Sequence, residues 1–321
     1  MEYRKLGRTG IEVSVVCCGT MAMAPHRTYG QPDDDASIAA VRAALALGIN
    51  FFDTAENYGD GYAEEVLGRA LEGRRDEAVI ATKVAPDHLR AADLVRACES
   101  SLRRLRTDRI DLYQVHWPNH QVPLAETLGA LERLREKGKI IQWGVSNFGK
   151  FDLRELLDLS RPEVNQLPYS LLWRAIEHDV VPACVKNEFS IICYSPMAQG
   201  ILTGKFAGPQ DVPAERRRAR YCRDNVIGLA FDVVAELRSI SAETGEAMAD
   251  IALAWLLSRP GVTSAIAGAR SAEQVAENAR AGELVLPQAL LGRLTHVSDR
   301  LKASLDANPD MWQEGANSRY H

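Results

Sequence analysis

This 321-residue sequence predicts an α/β fold of the TIM type, a (β/α)8 barrel with an N-terminal β-hairpin and long βα loops at its C-terminal face. Three observations lead there. Eight short apolar runs read as strands, and amphipathic runs separate them at a spacing of roughly 30 residues. No strand is followed by the GxGxxG turn that a doubly wound dinucleotide fold uses, so that alternative is the weaker one. The strand runs are VVCCGT, NFFDT, AVIATKV, IDLYQVH, IIQWGVS, VNQLP, SIICYSP and TSAIAG.

Taken in order, the chain opens on a hairpin candidate around Tyr3 to Val13, ahead of the first barrel strand. Helices are expected over Asp35 to Leu47, Ala63 to Leu71, Ala91 to Leu105, Leu124 to Glu136 and Leu153 to Leu159. The first begins with acidic residues and is followed by Gly48, so both of its ends are marked. Two stretches break the rhythm. Gly204 to Asn225 is long, basic and turn-rich around ERRRAR, and reads either as a lid over the barrel mouth or as a solvated charge run. The tail ending NPDMWQEGANSRYH either folds back over the mouth or frays. Barrels of this type commonly reach roughly 250 residues or more as one unit, so residues 1–321 are expected to form a single domain.

Composition narrows the function. With 46% apolar, 25% charged and 7% aromatic residues the chain has ample material for a core. A formal charge of −5 argues against a general nucleic-acid binder, and any anionic ligand has to find local positive charge. The start, MEYRKLGRTG, is polar, and no run approaches the roughly 20 apolar residues of a membrane span, so a cytoplasmic protein is expected. Six cysteines without CxxC spacing are expected to be reduced and mostly buried. His116 and His120 have a metal-like spacing, but Pro118 between them disfavours a regular helix, and no metal is expected.

Four residues carry the chemistry. Asp53 ends the second strand, Tyr58 follows it, Lys83 lies near the end of the third and His116 closes the fourth, so a barrel brings all four to its C-terminal mouth. A phenol titrates near 10 and is a reluctant acid, but a neighbouring ammonium favours its phenolate and makes it a better one. A lysine in a buried strand needs a countercharge, which Asp53 supplies. Singly, each residue also fits a structural role as cap, loop aromatic, surface charge or core histidine.

The segments KLGRTGIEVS, GINFFDTAENYG, KIIQWGVSNF, VNQLPYSLL and CYSPMAQGILTGK, in that order, resemble the successive signatures of the aldo-keto reductase family nearly end to end. The resemblance implies an NADP-dependent oxidoreductase in which Tyr58 is the general acid or base, Lys83 paired with Asp53 tunes it, and His116 orients and polarises a carbonyl. It further implies a nicotinamide site built from Ser146, Asn147 and Gln166 around the carboxamide, with Tyr194 as the stacking ring. The resemblance also implies Gly19, Thr20 and Met21 at the cofactor. Ser195, Pro196, Met197, Gly200, Leu202, Gly204 and Lys205 are implied at the pyrophosphate. Gly268, Arg270, Ser271, Gln274, Glu277 and Asn278 are implied at the adenosine end, where Arg270 and Ser271 would take a 2′-phosphate. NADP (NADPH) is favoured over NAD, which the same residues do not exclude.

For the substrate, Trp117 beside His116 is expected to wall the pocket, with Met23 to Tyr29, Arg216 to Arg223 and the Trp312 tail completing it. The pattern is nearer the bacterial, sugar- and general-aldehyde-reducing branches. Three readings stand: a reductase of small-molecule aldehydes, ketones or open-chain sugars, a sugar or polyol dehydrogenase running oxidatively, and a cofactor-sensing binding subunit. Self-association is left open, and neither a nucleic-acid nor a membrane partner is expected.

Overall fold

The computed structural model describes residues 1–26 and 30–320. Its first two strands, β1 (Tyr3–Lys5) and β2 (Glu12–Ser14), pair antiparallel as the expected hairpin. Eight parallel strands then close a barrel: β3 (Val16–Gly19), β4 (Phe51–Asp53), β5 (Val79–Val84), β6 (Ile110–Val115), β7 (Ile140–Ser146), β8 (Val164–Pro168), β9 (Ser190–Tyr194) and β10 (Val262–Gly268), with β10 returning to β3. Each lies within or across one of the apolar runs read as strands.

The helices are α1 (Asp34–Ala46), α2 (Tyr62–Ala70), α3 (Ala91–Arg104), α4 (Leu124–Glu136), α5 (Lys150–Leu159), α6 (Val180–Lys186), α7 (Ile227–Thr244), α8 (Met248–Leu257), α9 (Ala272–Arg280) and α10 (Gln288–Ser304). Among the described residues none is long and apolar enough to cross a membrane. Helix α4 buries Leu128, Leu131 and Leu134, a three-residue stripe that turns one face to the barrel wall. The expected start of α5 at Leu153 is corrected to Lys150. Asp152 causes the shift, because its carboxylate accepts from the Gly149 backbone N–H at 3.1 Å and so caps a turn earlier than the apolar pattern begins.

The barrel interior is layered, and the layering positions the site. Side chains alternate in and out along a strand. One interior layer is Cys17, Phe51, Ala81, Leu112, Val164, Ile192 and Ile266, closed from below by Leu6 and Val13 of the hairpin. Strand β7 contributes Gly144 at this level, where a Cβ would meet Val164 at 3.1 Å and Leu112 at 3.4 Å, so any side chain there would press on its neighbours. Two residues further along the same strands stand Gly19, Asp53, Lys83, Gln114, Ser146, Gln166, Tyr194 and Gly268. The apolar layer is thus the floor of a polar one. Fully burying each large side chain of the floor contributes roughly 1.5–3 kcal/mol, which offsets part of the cost of holding charge above it.

The Gly204–Asn225 segment is not simply a solvated charge run. It folds into short 3-10 turns, and three of its arginines donate to backbone carbonyls, while Arg223 pairs with Glu314 and Arg220 also with Asp306. Arg216 donates to Gln199 O at 2.8 Å, Arg217 to Val212 O at 2.9 Å, and Arg220, almost fully buried, to Asn308 O at 3.2 Å and Asp310 O at 3.3 Å. The last two bonds clamp the tail, which folds back rather than fraying. The six cysteines are free thiols and all buried. Burial pushes the Cys18 thiol up to about 12.

Candidate active site

The four residues expected at one mouth are in mutual contact there. Lys83 is fully buried, and its ammonium donates to Asp53 Oδ1 at 2.6 Å, to Thr54 O at 2.8 Å and to the Tyr58 hydroxyl at 3.4 Å. Its Nζ also lies 5.1 Å from the Tyr58 ring centroid. Burial is the largest influence on this ammonium and pulls its pKa down, but Asp53 and Tyr58 together outweigh it and the value ends above that of a free lysine. Lys83 is therefore a permanent cation. The Tyr58 loop is held against β5, with Glu56 N donating to Lys83 O at 3.4 Å and the Glu56 carboxylate accepting from Ala85 N at 2.6 Å.

His116 faces Tyr58 edge-on, ring centroids 6.0 Å apart at 80°. Burial first, then the charges of Lys83 and Arg319, lower its pKa to about 3, so the imidazole is neutral throughout the physiological range. Its Nδ1 is buried and makes no hydrogen bond among the described residues. A neutral ring with an unpaired polar atom at the floor of a mouth is suited to receive a ligand atom.

Beside the tetrad a continuous amide network runs across β6, β7 and β8. Gln166 Nε2 donates to Asp53 Oδ2 at 2.7 Å and lies 3.4 Å from Gln114 Oε1. Ser146 Oγ donates to Gln166 O at 3.0 Å, Asn147 Nδ2 to His116 O at 3.0 Å, and Tyr194 Oη to Asn147 Oδ1 at 2.9 Å. Thr20 joins from β3, donating its hydroxyl to Asp53 O at 3.1 Å. The proposed nicotinamide residues and the tetrad are one network. Gln114 was absent from the sequence reading, although stepping back two residues from His116 along β6 reaches it.

After β9 the chain turns through positive φ at Ser195, Ala198, Gln199 and Gly200. Gly200 takes φ 89°, a backbone conformation that favours glycine, and the Lys205 ammonium and Arg216 guanidinium fold in over the place where a Cβ would stand. Leu202 is fully buried in the core, backbone and side chain alike. Lys205 has its pKa lowered by burial first, then by Arg216 and Arg270. Three cations crowding one place on a chain of net charge −5 form the local positive field that an anionic cofactor needs. Phosphate groups would relieve that crowding, so the residues fit a phosphorylated dinucleotide. Arg216 was expected to line the substrate pocket; its contacts instead put it with the Gly200–Lys205 turn.

Where an adenosine end is expected, Ser271 caps α9, accepting from Gln274 N at 3.4 Å, while Gln274 Oε1 accepts from Arg270 N at 2.9 Å and Asn278 Nδ2 donates to Gly268 O at 3.4 Å. Glu277 is exposed on the same helix, and Gly19 and Met21 flank Thr20 on the facing strand end. Of the expected substrate elements, residues 27–29 lie outside the described residues. Trp117 stands in the mouth, its ring under the Arg319 guanidinium at 3.6 Å and edge-on to Tyr320 at 5.4 Å. Trp312 stacks with Arg218 at 5.9 Å, and the tail residue that reaches the network is Tyr320, whose hydroxyl donates to Asn147 Oδ1 at 2.7 Å.

Comparison with known proteins identifies the family. The model of the "Aldo/keto reductase family" matches residues 15–299. Methylglyoxal reductase YeaE of Escherichia coli is 36% identical over 274 residues, 84% of this chain and 87% of that protein. An aldo-keto reductase from Klebsiella pneumoniae solved with NADPH is 35% identical with a TM-score of 0.76, covering 92% of this chain and 95% of that one. A glycerol dehydrogenase from Gluconobacter oxydans superposes with a TM-score of 0.82 at 29% identity, over 98% of this chain and 99% of that one. On a family match that spans the barrel and its mouth, this chain belongs to the aldo/keto reductase family.

Proposed function

We propose that this chain is an NADP(H)-dependent oxidoreductase that interconverts a small-molecule aldehyde, ketone or sugar carbonyl with its alcohol. The observation that carries the reading is Lys83 held between Asp53 Oδ1 and the Tyr58 hydroxyl beside a neutral His116. A substrate carbonyl oxygen between Tyr58 and His116 would accept from the phenol and from the imidazole N–H. As negative charge grows on that oxygen, Tyr58 gives up its proton to it, and Lys83 stabilises the phenolate left behind. Asp53 keeps Lys83 charged and in place. Because His116 is neutral it polarises the oxygen by hydrogen bonding without competing as an acid. In reverse, the phenolate takes the alcohol proton.

The nicotinamide supplies the hydride, which no side chain can donate. Ser146, Asn147 and Gln166 would hold its carboxamide and Tyr194 its ring face. The Ser195–Lys205 turn with Arg216 would hold the pyrophosphate, and Gly268, Ser271, Gln274, Glu277 and Asn278 the adenosine. Arg270 would meet a 2′-phosphate, which favours NADP over NAD. Support for this choice comes from the three-cation cluster and from the related Klebsiella pneumoniae protein solved with NADPH. Relatives named for methylglyoxal and for glycerol point to small, polar substrates, and the second of them favours alcohol oxidation as the alternative direction.

Titration with NADPH and NADH, followed by tryptophan fluorescence, tests the cofactor assignment. Saturable binding with NADPH tighter than NADH is expected, and binding of neither would refute it. A panel of small aldehydes and polyols assayed in both directions by nicotinamide absorbance assigns substrate and direction.

A further inference from the structure

The end of the chain occupies the place where the cofactor's carboxamide is expected, and this inference rests on the NADP reading above. A side-chain amide offers two donors and an oxygen with two lone pairs. At Asn147 all four are used. Nδ2 donates to His116 O and to Ser146 Oγ, both at 3.0 Å, while Oδ1 accepts from Tyr194 at 2.9 Å and from Tyr320 at 2.7 Å. The His116 carbonyl can only accept, so it fixes which way the amide points. Of the two phenols, Tyr194 is anchored at the end of β9, whereas Tyr320 comes from the tail.

That tail is firmly tied just upstream of Tyr320. Asp310 is fully buried and accepts from Trp312 N at 3.0 Å, Arg319 N at 3.1 Å and Arg319 Nη2 at 2.9 Å. Arg220 and the Trp173 indole hold the carbonyls on either side and within this staple, at Asn308, Asp310 and Pro309. Tyr320 itself is buried, and its side chain meets the mouth through its hydroxyl, which bonds to Asn147 and the Tyr194 hydroxyl, and through the edge-on contact with Trp117. Its ring can therefore leave the mouth without the staple opening.

We propose that Tyr320 is an internal competitor for the nicotinamide subsite. Its hydroxyl satisfies the Asn147 acceptor that a carboxamide N–H would take, so nicotinamide binding displaces the Tyr320 ring from Asn147, and the cost of that displacement weakens affinity for the intact cofactor. The half of the cofactor bound at Lys205 and Arg270 is untouched by the exchange. NADPH and the fragment 2′,5′-ADP, which has no nicotinamide, thus report on different things.

The experiment measures dissociation constants of both ligands for the full-length wild type, Tyr320→Phe and Tyr320→Ala. Removing the hydroxyl should tighten NADPH about 2- to 12-fold, the range of one net hydrogen bond. Removing the ring as well should tighten it further, because the Trp117 contact also goes. The affinity for 2′,5′-ADP should stay constant across all three. Unchanged or weaker NADPH binding by Tyr320→Phe overturns the proposal, as does an equal tightening of both ligands. A wild type that binds 2′,5′-ADP and NADPH but gives no difference for the variants refutes the competition alone. One that binds neither refutes the cofactor reading, and this inference with it.

Discussion

Replacing Lys83 by methionine separates what the buried ion pair does for stability from what it does for turnover. Lys83 Nζ lies 2.6 Å from Asp53 Oδ1 with both side chains buried. At that distance and an effective dielectric of about 20 the direct attraction is roughly 6 kcal/mol. Several kcal/mol per ion are lost in leaving water, so little of this survives as net stabilisation. Deleting only the cation is different, because Asp53 stays buried with the Gln166 amide as its remaining side-chain donor. Lys83→Met should cost about 3–5 kcal/mol, read as a lower urea midpoint by tryptophan fluorescence. Adding Asp53→Asn removes the stranded charge and should return at least about 2 kcal/mol of that loss. Turnover should not return, since neither variant restores a cation 3.4 Å from the Tyr58 hydroxyl. A double variant as unstable as the sum of its singles, or one that regains turnover, would refute the reasoning. Because the Lys83 pKa is raised in the fold, its contribution stands in full below the unfolded value of about 10.4 and is lost only as pH climbs through the higher native value.

His116 should remain neutral from pH 5 to 8, and nitrogen chemical shifts of the labelled ring will report its protonation; a transition near about 6.5 would contradict the burial argument. Its folded pKa of about 3 lies below the unfolded one, so its contribution is complete above about pH 6.5 and is lost as pH falls toward the folded value. His116→Asn should accordingly flatten the decline of stability between pH 6 and 4 by up to about 1.4 kcal/mol per pH unit. Arg270→Ala should weaken NADPH by about 10- to 100-fold, the range for hydrogen bonds to a charged group, while leaving NADH nearly unchanged. Equal losses for both cofactors would remove the 2′-phosphate contact from the account.

The barrel was legible because its strands alternate a floor of apolar residues with a polar layer two positions further on, and both layers are local patterns. Phe51 and Asp53, Ala81 and Lys83, and Leu112 and Gln114 are the same step repeated on neighbouring strands. The step also makes Gln114 recoverable from His116, although single-residue inspection passes over it. What could not be read were contacts between distant side chains and backbone. Arg220 looks like one more charge in ERRRAR, yet its partners lie about ninety positions away at Asn308 and Asp310. Tyr320 has no periodic neighbour to mark it, so nothing local distinguishes it from a frayed end. The start of α5 was missed because its cap comes from Asp152 inside the first turn, while the apolar pattern begins only at Leu153.

Tyr58→Phe tests the central claim most directly, because it removes one hydroxyl and leaves the ring, the Lys83–Asp53 pair and the amide network in place. With NADPH and a reactive aldehyde such as a nitrobenzaldehyde, turnover is followed by nicotinamide absorbance and cofactor binding by tryptophan fluorescence. The account predicts unchanged NADPH affinity with kcat lower by about 100- to 10,000-fold, the contribution of a positioned general acid. A variant that binds NADPH and turns over like the wild type would contradict it.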